Sequence, residues 1–118
     1  MTEQPNPTKR MQMLDDKKKR LSSKNQEYKE LAKAQAEAER QHSVAFAQTE
    51  LKLKLDGTPV TILKDLVKGH PAVAELRFKA DVAGAITKAC LESMKDIREA
   101  IGADRSILTW LREEKGNG

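Results

Sequence analysis

The sequence predicts an all-α protein: a long antiparallel helical hairpin of coiled-coil type with a short helical corner. Helix-forming residues run without proline or glycine from residue 8 to residue 56, and a second long segment begins at Pro71 and has no internal proline. Apolar or small residues in the second segment recur at alternating steps of three and four, which keeps one helix face toward a partner. Aromatic residues make up only 3% of the chain and charged residues 34%, a composition typical of narrow helical seams.

The breaks between these segments predict the domain organisation. We expect one helical-hairpin domain over residues 8–115, with helices at about 8–54, 62–68 and 71–114, and tails at 1–7 and 116–118. The first tail holds two prolines and no periodicity, so it should be disordered. Gly57 should end the first helix, and Thr61 is a candidate N-cap of the second. Residues 51–55 alternate strictly between leucine and lysine, so a small β-hairpin over 51–62 is the alternative.

Each long helix has a predicted seam. In the second long helix Asp104 is the one charge on the seam, where a polar residue can set the register at some cost in stability. The seam of the first helix is diluted by polar residues. The second-helix seam comprises Val73, Leu76, Ala80, Ala83, Thr87, Cys90, Met94, Ile97, Ile101, Asp104, Leu108 and Leu111. The first-helix seam comprises Leu14, Lys17, Leu21, Lys24, Tyr28, Leu31, Gln35, Ala38, His42, Ala45 and Thr49.

Apolar residues also flank the second seam, at Ile86, Leu91, Ile107 and Trp110. A two-helix hairpin buries little surface per residue and would leave these side chains open. We therefore expect the chain to form a homo-oligomer.

The net charge of +4 is concentrated in the first half of the chain. Residues 8–55 carry twelve basic and seven acidic side chains, whereas residues 71–118 carry eight of each. The sharpest cluster is Lys17, Lys18, Lys19 and Arg20. Such a cluster fits an acidic partner, most often nucleic acid. The alternative is an ordinary solvated face near a helix end.

Arginines recur every seven residues in the second long helix, at Arg98, Arg105 and Arg112. In an antiparallel hairpin this row and the 17–20 cluster reach the same end. Together they predict weak, sequence-nonspecific binding to the nucleic-acid backbone. The competing interpretation is that these arginines pair with acidic residues across the helices, as residues flanking a coiled-coil seam usually do.

Three runs of residues carry a resemblance to a known group of proteins. They are Leu51-Lys52-Leu53-Lys54, Gly57-x-Pro59-Val60-Thr61-x-Leu63-x-Asp65-Leu66-Val67-x-Gly69, and Val73-Ala74-Glu75-Leu76-Arg77-Phe78-Lys79-x-Asp81-Val82-Ala83. From Leu51 to about Met94 the chain resembles small helical phage and prophage proteins that often lie among replication and recombination genes. The resemblance implies a phage origin and a DNA-metabolism context. It implies no activity and no site residues.

The remaining residues do not indicate catalysis. The chain has no phosphate-cradling glycine loop, no catalytic serine motif and too few ligands around His42 and His70 for a metal site. The single Cys90 lies on the seam and predicts a small buried residue. We expect no enzyme activity, no metal and no cofactor. We also expect a cytoplasmic protein without a membrane segment, located in the host cytoplasm if it is phage-encoded.

Three functions follow as expectations. The first is an accessory protein of phage DNA replication or recombination that binds nucleic acid through backbone electrostatics. The second is an interaction module that inhibits or bridges a host or phage protein. The third is a prefoldin-like chaperone or scaffold, suggested by the alternative β-hairpin over 51–62.

Overall fold

The structure is a computed structural model, and it describes residues 7–116. Three helices cover all of these residues except 56–59 and residue 70: α1 is Pro7–Leu55, α2 is Val60–Gly69 and α3 is Pro71–Gly116. The all-α helical hairpin predicted from the sequence is confirmed. No strand occurs between residues 7 and 116, so the alternative β-hairpin over 51–62 is wrong.

The helix ends differ from the expected ones by one or two residues. Pro7 and Gly116, which we assigned to the tails, are the first residue of α1 and the last residue of α3. The rest of both predicted tails, residues 1–6 and 117–118, lies outside the described residues. Thr61 is not the N-cap of α2, because α2 already begins at Val60, directly after Pro59.

Gly57 ends α1, as the sequence predicts. It has a φ of 89°, a left-handed conformation that glycine adopts without steric cost. Its N–H donates to the carbonyl of Lys54 at 3.1 Å, and the Thr58 N–H donates to the carbonyl of Leu53 at 3.0 Å. These two bonds form a Schellman motif, which satisfies carbonyls that the last helical turn leaves open.

The chain folds as two compact units. The first unit contains the described residues up to Tyr28 and those from Cys90 onward, and the second is Lys29–Ala89. The single domain predicted over 8–115 therefore stays a prediction.

In the first unit, α1 and α3 run antiparallel around a small apolar core. Leu14, Ile97 and Ile101 are buried, and Leu21 and Leu108 pack against them. Farther along the same seam the buried Cys90 thiol lies 3.6 Å from the carbonyl of Lys24 and donates to it. The thiol thus acts as a small seam residue with a weak hydrogen bond.

In the second unit, α2 closes the pair of long helices. Leu63 and Val67 of α2 are buried with Val73 of α3, and three α1 residues pack against this cluster: Ala45, Phe46 and Leu53. Between the long helices of this unit, the Thr87 hydroxyl lies 2.9 Å from the carbonyl of Ala83 and 3.3 Å from that of Leu31. Every helix of the unit is thereby fixed by at least one packed contact.

The burial pattern confirms both predicted seams. All twelve positions predicted for α3 and all eleven predicted for α1 are buried or half-buried. The residues flanking the α3 seam behave differently, since Ile86, Leu91 and Trp110 are exposed and Ile107 is half-buried. Self-association, which would cover them, stays a prediction.

Candidate functional site

The arginine row of α3 lies beside the seam of the first unit. Arg98, Arg105 and Arg112 are all exposed. Their spacing of seven residues places neighbours about 10.5 Å apart along the helix axis. Between residues 7 and 116, none of the three forms an ion pair. The cross-helix pairing that seam-flanking charges usually make is therefore not seen at these arginines.

The lysine cluster of α1 does not lie on one face of the helix, because successive residues on an α-helix point about 100° apart. Lys17 turns into the seam, where its Nζ lies 2.5 Å from Oδ2 of Asp104. Lys18 lies beside the arginine row and lines two grooves with it. Lys19 and Arg20 line a different groove. Of the four predicted cations, the structure brings Lys18 alone to the arginines.

The Lys17–Asp104 pair was not expected from the sequence. The Asp104 side chain is only 6% exposed and that of Lys17 23%, so the pair is largely shielded from water. A buried carboxylate needs such a partner, because an unpaired charge in a low-dielectric seam is costly. We therefore assign Lys17 a structural role.

One groove beside the arginine row, the polar groove, has a volume of about 400 Å³. At Gly102 an added Cβ would meet no atom within 4 Å, so the groove gives open access to the α3 backbone. Its apolar or small lining residues are Leu21, Ile101 and Gly102. Its polar or charged lining residues are Lys18, Ser22, Asn25, Arg98 and Arg105.

A second groove, the apolar groove, has a volume of about 540 Å³ and lies toward the start of α1 and the end of α3. It shares Lys18 and Arg105 with the polar groove. Its apolar lining residues, which we call the floor, are Pro7, Met11, Leu14, Leu108 and Leu111. Its polar and charged lining residues, which we call the rim, are Asp15, Lys18, Arg105, Thr109, Arg112 and Lys115.

Charge is segregated around the two grooves, which we call together the basic face. Five cations line it (Lys18, Arg98, Arg105, Arg112 and Lys115), and one carboxylate, that of Asp15, accompanies them. None of the acidic residues of α3 after Cys90 lines either groove. One of them, Asp104, forms an ion pair with Lys17 in the seam. The basic face therefore has a local excess of positive charge, although α3 as a whole carries equal numbers of basic and acidic residues.

The other candidate groups of the sequence lie outside the basic face. The ring of His42 packs on that of Phe46, with centroids 6.1 Å apart. Within residues 7–116, no group of three or more His, Cys, Asp or Glu side chains is placed to hold a metal ion. None of the three described helices is long and apolar enough to cross a membrane.

No family model, curated protein or solved structure matches the chain. The resemblance to phage proteins therefore stays a prediction. What the described residues define is a class: an all-α helical hairpin whose first unit carries a basic face with two grooves.

Proposed function

We propose that the protein is a non-enzymatic nucleic-acid-binding protein that contacts phosphates through its basic face. The observation that carries the proposal is the convergence of Lys18, Arg98, Arg105 and Arg112 on one side of the first unit without an ion pair among residues 7–116. Lys18 and Arg105 line the same groove, so like charges face it from both helices. A bound polyanion relieves that repulsion and gains attraction to every member.

The chemistry of the face favours phosphate over base recognition. Arginine presents a planar fork of donors that matches phosphate oxygens. In the polar groove, Ser22 and Asn25 add neutral donors, and Gly102 leaves room for a close approach. No phenylalanine, tyrosine or tryptophan lines either groove, so the face has no platform on which bases stack. Binding through such a face is insensitive to base sequence.

The test is fluorescence anisotropy with labelled single-stranded and duplex oligonucleotides. For each duplex phosphate contact, counterion release makes the affinity at 0.1 M salt about eightfold higher than at 1 M salt. Replacing Arg98, Arg105 and Arg112 together by Gln should therefore weaken duplex binding by up to about 500-fold. The matched control replaces three exposed lysines of the second unit by Gln, with the same loss of charge: Lys64, Lys68 and Lys88.

The control variant should keep nearly the full affinity. Equal losses in the two triple variants would show that net charge alone attracts the nucleic acid, which contradicts a defined face. The absence of binding by the unchanged protein at low salt would refute the proposal outright.

The phage context supports a role for this binding in DNA replication or recombination, and that role rests on the resemblance of residues 51–94 alone. The chaperone-like alternative loses its supporting feature, because 51–55 is helical and 56–59 forms the turn after α1. The alternative of a protein partner has an observation in its favour, the apolar groove.

A further inference from the structure

We propose that the apolar groove is a docking site for an acidic amphipathic helix of a partner protein. This inference goes beyond nucleic-acid binding, because the charged phosphate groups of a nucleic acid do not pack against an apolar floor. It depends on two features of the groove, the exposed apolar floor and the sign of the charge on the rim.

The floor offers an apolar surface that no other part of residues 7–116 covers. Met11 is 58% exposed, and Leu14, one turn further along α1, belongs to the buried core and also lines the groove. Leu108 and Leu111 of α3 are only half-buried. A helix whose apolar residues recur at steps of three and four lays that face into such a groove. Methionine suits a docking surface because its flexible thioether adapts to the shape of the partner.

The rim determines which helix fits. Four cations (Lys18, Arg105, Arg112 and Lys115) line it against the single carboxylate of Asp15, and they come from both α1 and α3. Glutamates on the two flanks of a docked helix would find cations on either side. A second copy of this chain would bring its own basic flanks to the rim, so like-charge repulsion disfavours it.

The two grooves share Lys18 and Arg105, and this gives the docking site a consequence for nucleic-acid binding. A docked acidic helix would neutralise three cations that the proposed function assigns to phosphate: Lys18, Arg105 and Arg112. Binding of the partner and of nucleic acid should therefore be competitive. This consequence rests on the proposed function, whereas the docking itself does not.

The experiment uses a fluorescent synthetic peptide of roughly 18 residues, long enough to form helix on docking, with leucines at steps of three and four and glutamate and alanine elsewhere. The full chain should bind it in fluorescence anisotropy. Met11→Gln removes part of the floor without changing any charge and should weaken binding about fivefold. The matched control is Met13→Gln, because Met13 is also exposed, lies on the same helix and does not line the groove.

Two control peptides test the two features separately. A peptide of the same composition with scattered leucines loses the contact with the apolar floor and should bind at least about tenfold more weakly. A peptide with lysine in place of glutamate loses the attraction to the cations of the rim and should be weakened by at least as much. Equal binding of either control peptide, or equal effects of the two methionine variants, would overturn the proposal. Sedimentation adds a second readout: a dimer that Met11→Gln dissociates and the peptide displaces would assign the groove to a second copy instead.

The outcome is separable from that of the proposed function. Arg98 lines only the polar groove, so Arg98→Gln should weaken oligonucleotide binding and leave peptide binding unchanged. A chain that binds oligonucleotides but not the peptide would refute the docking site alone. A chain that binds the peptide but no oligonucleotide would refute the proposed function alone.

Discussion

Removing one partner of the Lys17–Asp104 pair should destabilise the fold far more than removing both. The two side chains meet at 2.5 Å in the seam of the first unit, and Asp104 is the more buried of the two. Lys17→Met leaves the buried carboxylate without a cation, a change that costs about 3–5 kcal/mol in comparable sites. Asp104→Leu leaves an ammonium on a long flexible stem, which can reach water, so we expect about 1–2 kcal/mol.

The double variant replaces the pair by two apolar side chains on an otherwise apolar seam. Such replacements are often neutral or stabilising, so the double variant should lie within about 1 kcal/mol of the unchanged protein. The coupling free energy of the cycle is then about 3 kcal/mol or more. Urea unfolding followed by circular dichroism gives all four free energies of unfolding.

The opposite pattern would refute this account of the pair. If the two single changes are small and simply add, to within about 0.5 kcal/mol, then Lys17 and Asp104 do not depend on each other. Lys17 would then be free to act in the ligand-binding surface. The same variants provide a check, because Lys17→Met should leave oligonucleotide affinity nearly unchanged once folding is confirmed.

Further predictions concern packing, glycine, titration and assembly. Ile97→Ala should lower the free energy of unfolding by about 2–5 kcal/mol in urea, since its side chain is buried in the core. Gly102→Ala should raise the free energy of unfolding by about 0.5–1 kcal/mol, since the added Cβ meets open space. Gly84→Ala should raise it by less, because the added Cβ would lie 3.3 Å from Nε2 of Gln35. Hydrogen bonds from Arg40 and Gln41 hold the pKa of Glu37 at about 2, below the ordinary 4.5. The stability that the ionised Glu37 contributes is therefore complete above pH 4.5 and is lost as the pH falls toward 2. NMR titration of the carboxyl group checks this, and Arg40→Gln should raise the pKa of Glu37. Sedimentation at micromolar concentration should show an oligomer, and a clean monomer would leave the exposed flanking residues to a foreign partner.

The fold was predictable because seam periodicity reports directly on which helix face is covered. The steps of three and four in α3 identified every buried position of that helix, and Gly57 marked the end of α1 through its positive φ. The alternation of 51–55 is also typical of a strand, but these residues are helical. In helical geometry that spacing places Leu51 and Leu55 one turn apart on an exposed face and leaves Leu53 half-buried. Local alternation alone did not distinguish the two.

The site was less predictable, because neighbours in sequence are not neighbours on a helix face. The run from Lys17 to Arg20 looked like one patch, yet a turn of about 100° per residue divides it among a seam, the basic face and a separate groove. Because the chain reverses at the corner, two residues that face each other on α1 and α3 have numbers that add up to about 120. Lys17 with Asp104 and Gln35 with Gly84 are examples. A corner placed two residues away would have changed these partners, so the sequence alone did not pair them.

Lys18 and Lys19 offer the most direct test of the central claim, that phosphates bind the basic face of the first unit. Both are exposed and adjacent, and they lose the same charge on replacement by Gln, but only Lys18 lines the grooves of that face. The measurement is the slope of log affinity against log salt for a duplex oligonucleotide. With four phosphate contacts that slope should be about −3.6. Lys18→Gln should make it shallower by about 0.9 and Lys19→Gln should leave it unchanged. Equal slopes for the two variants, or a slope near zero for the unchanged protein, would contradict the claim.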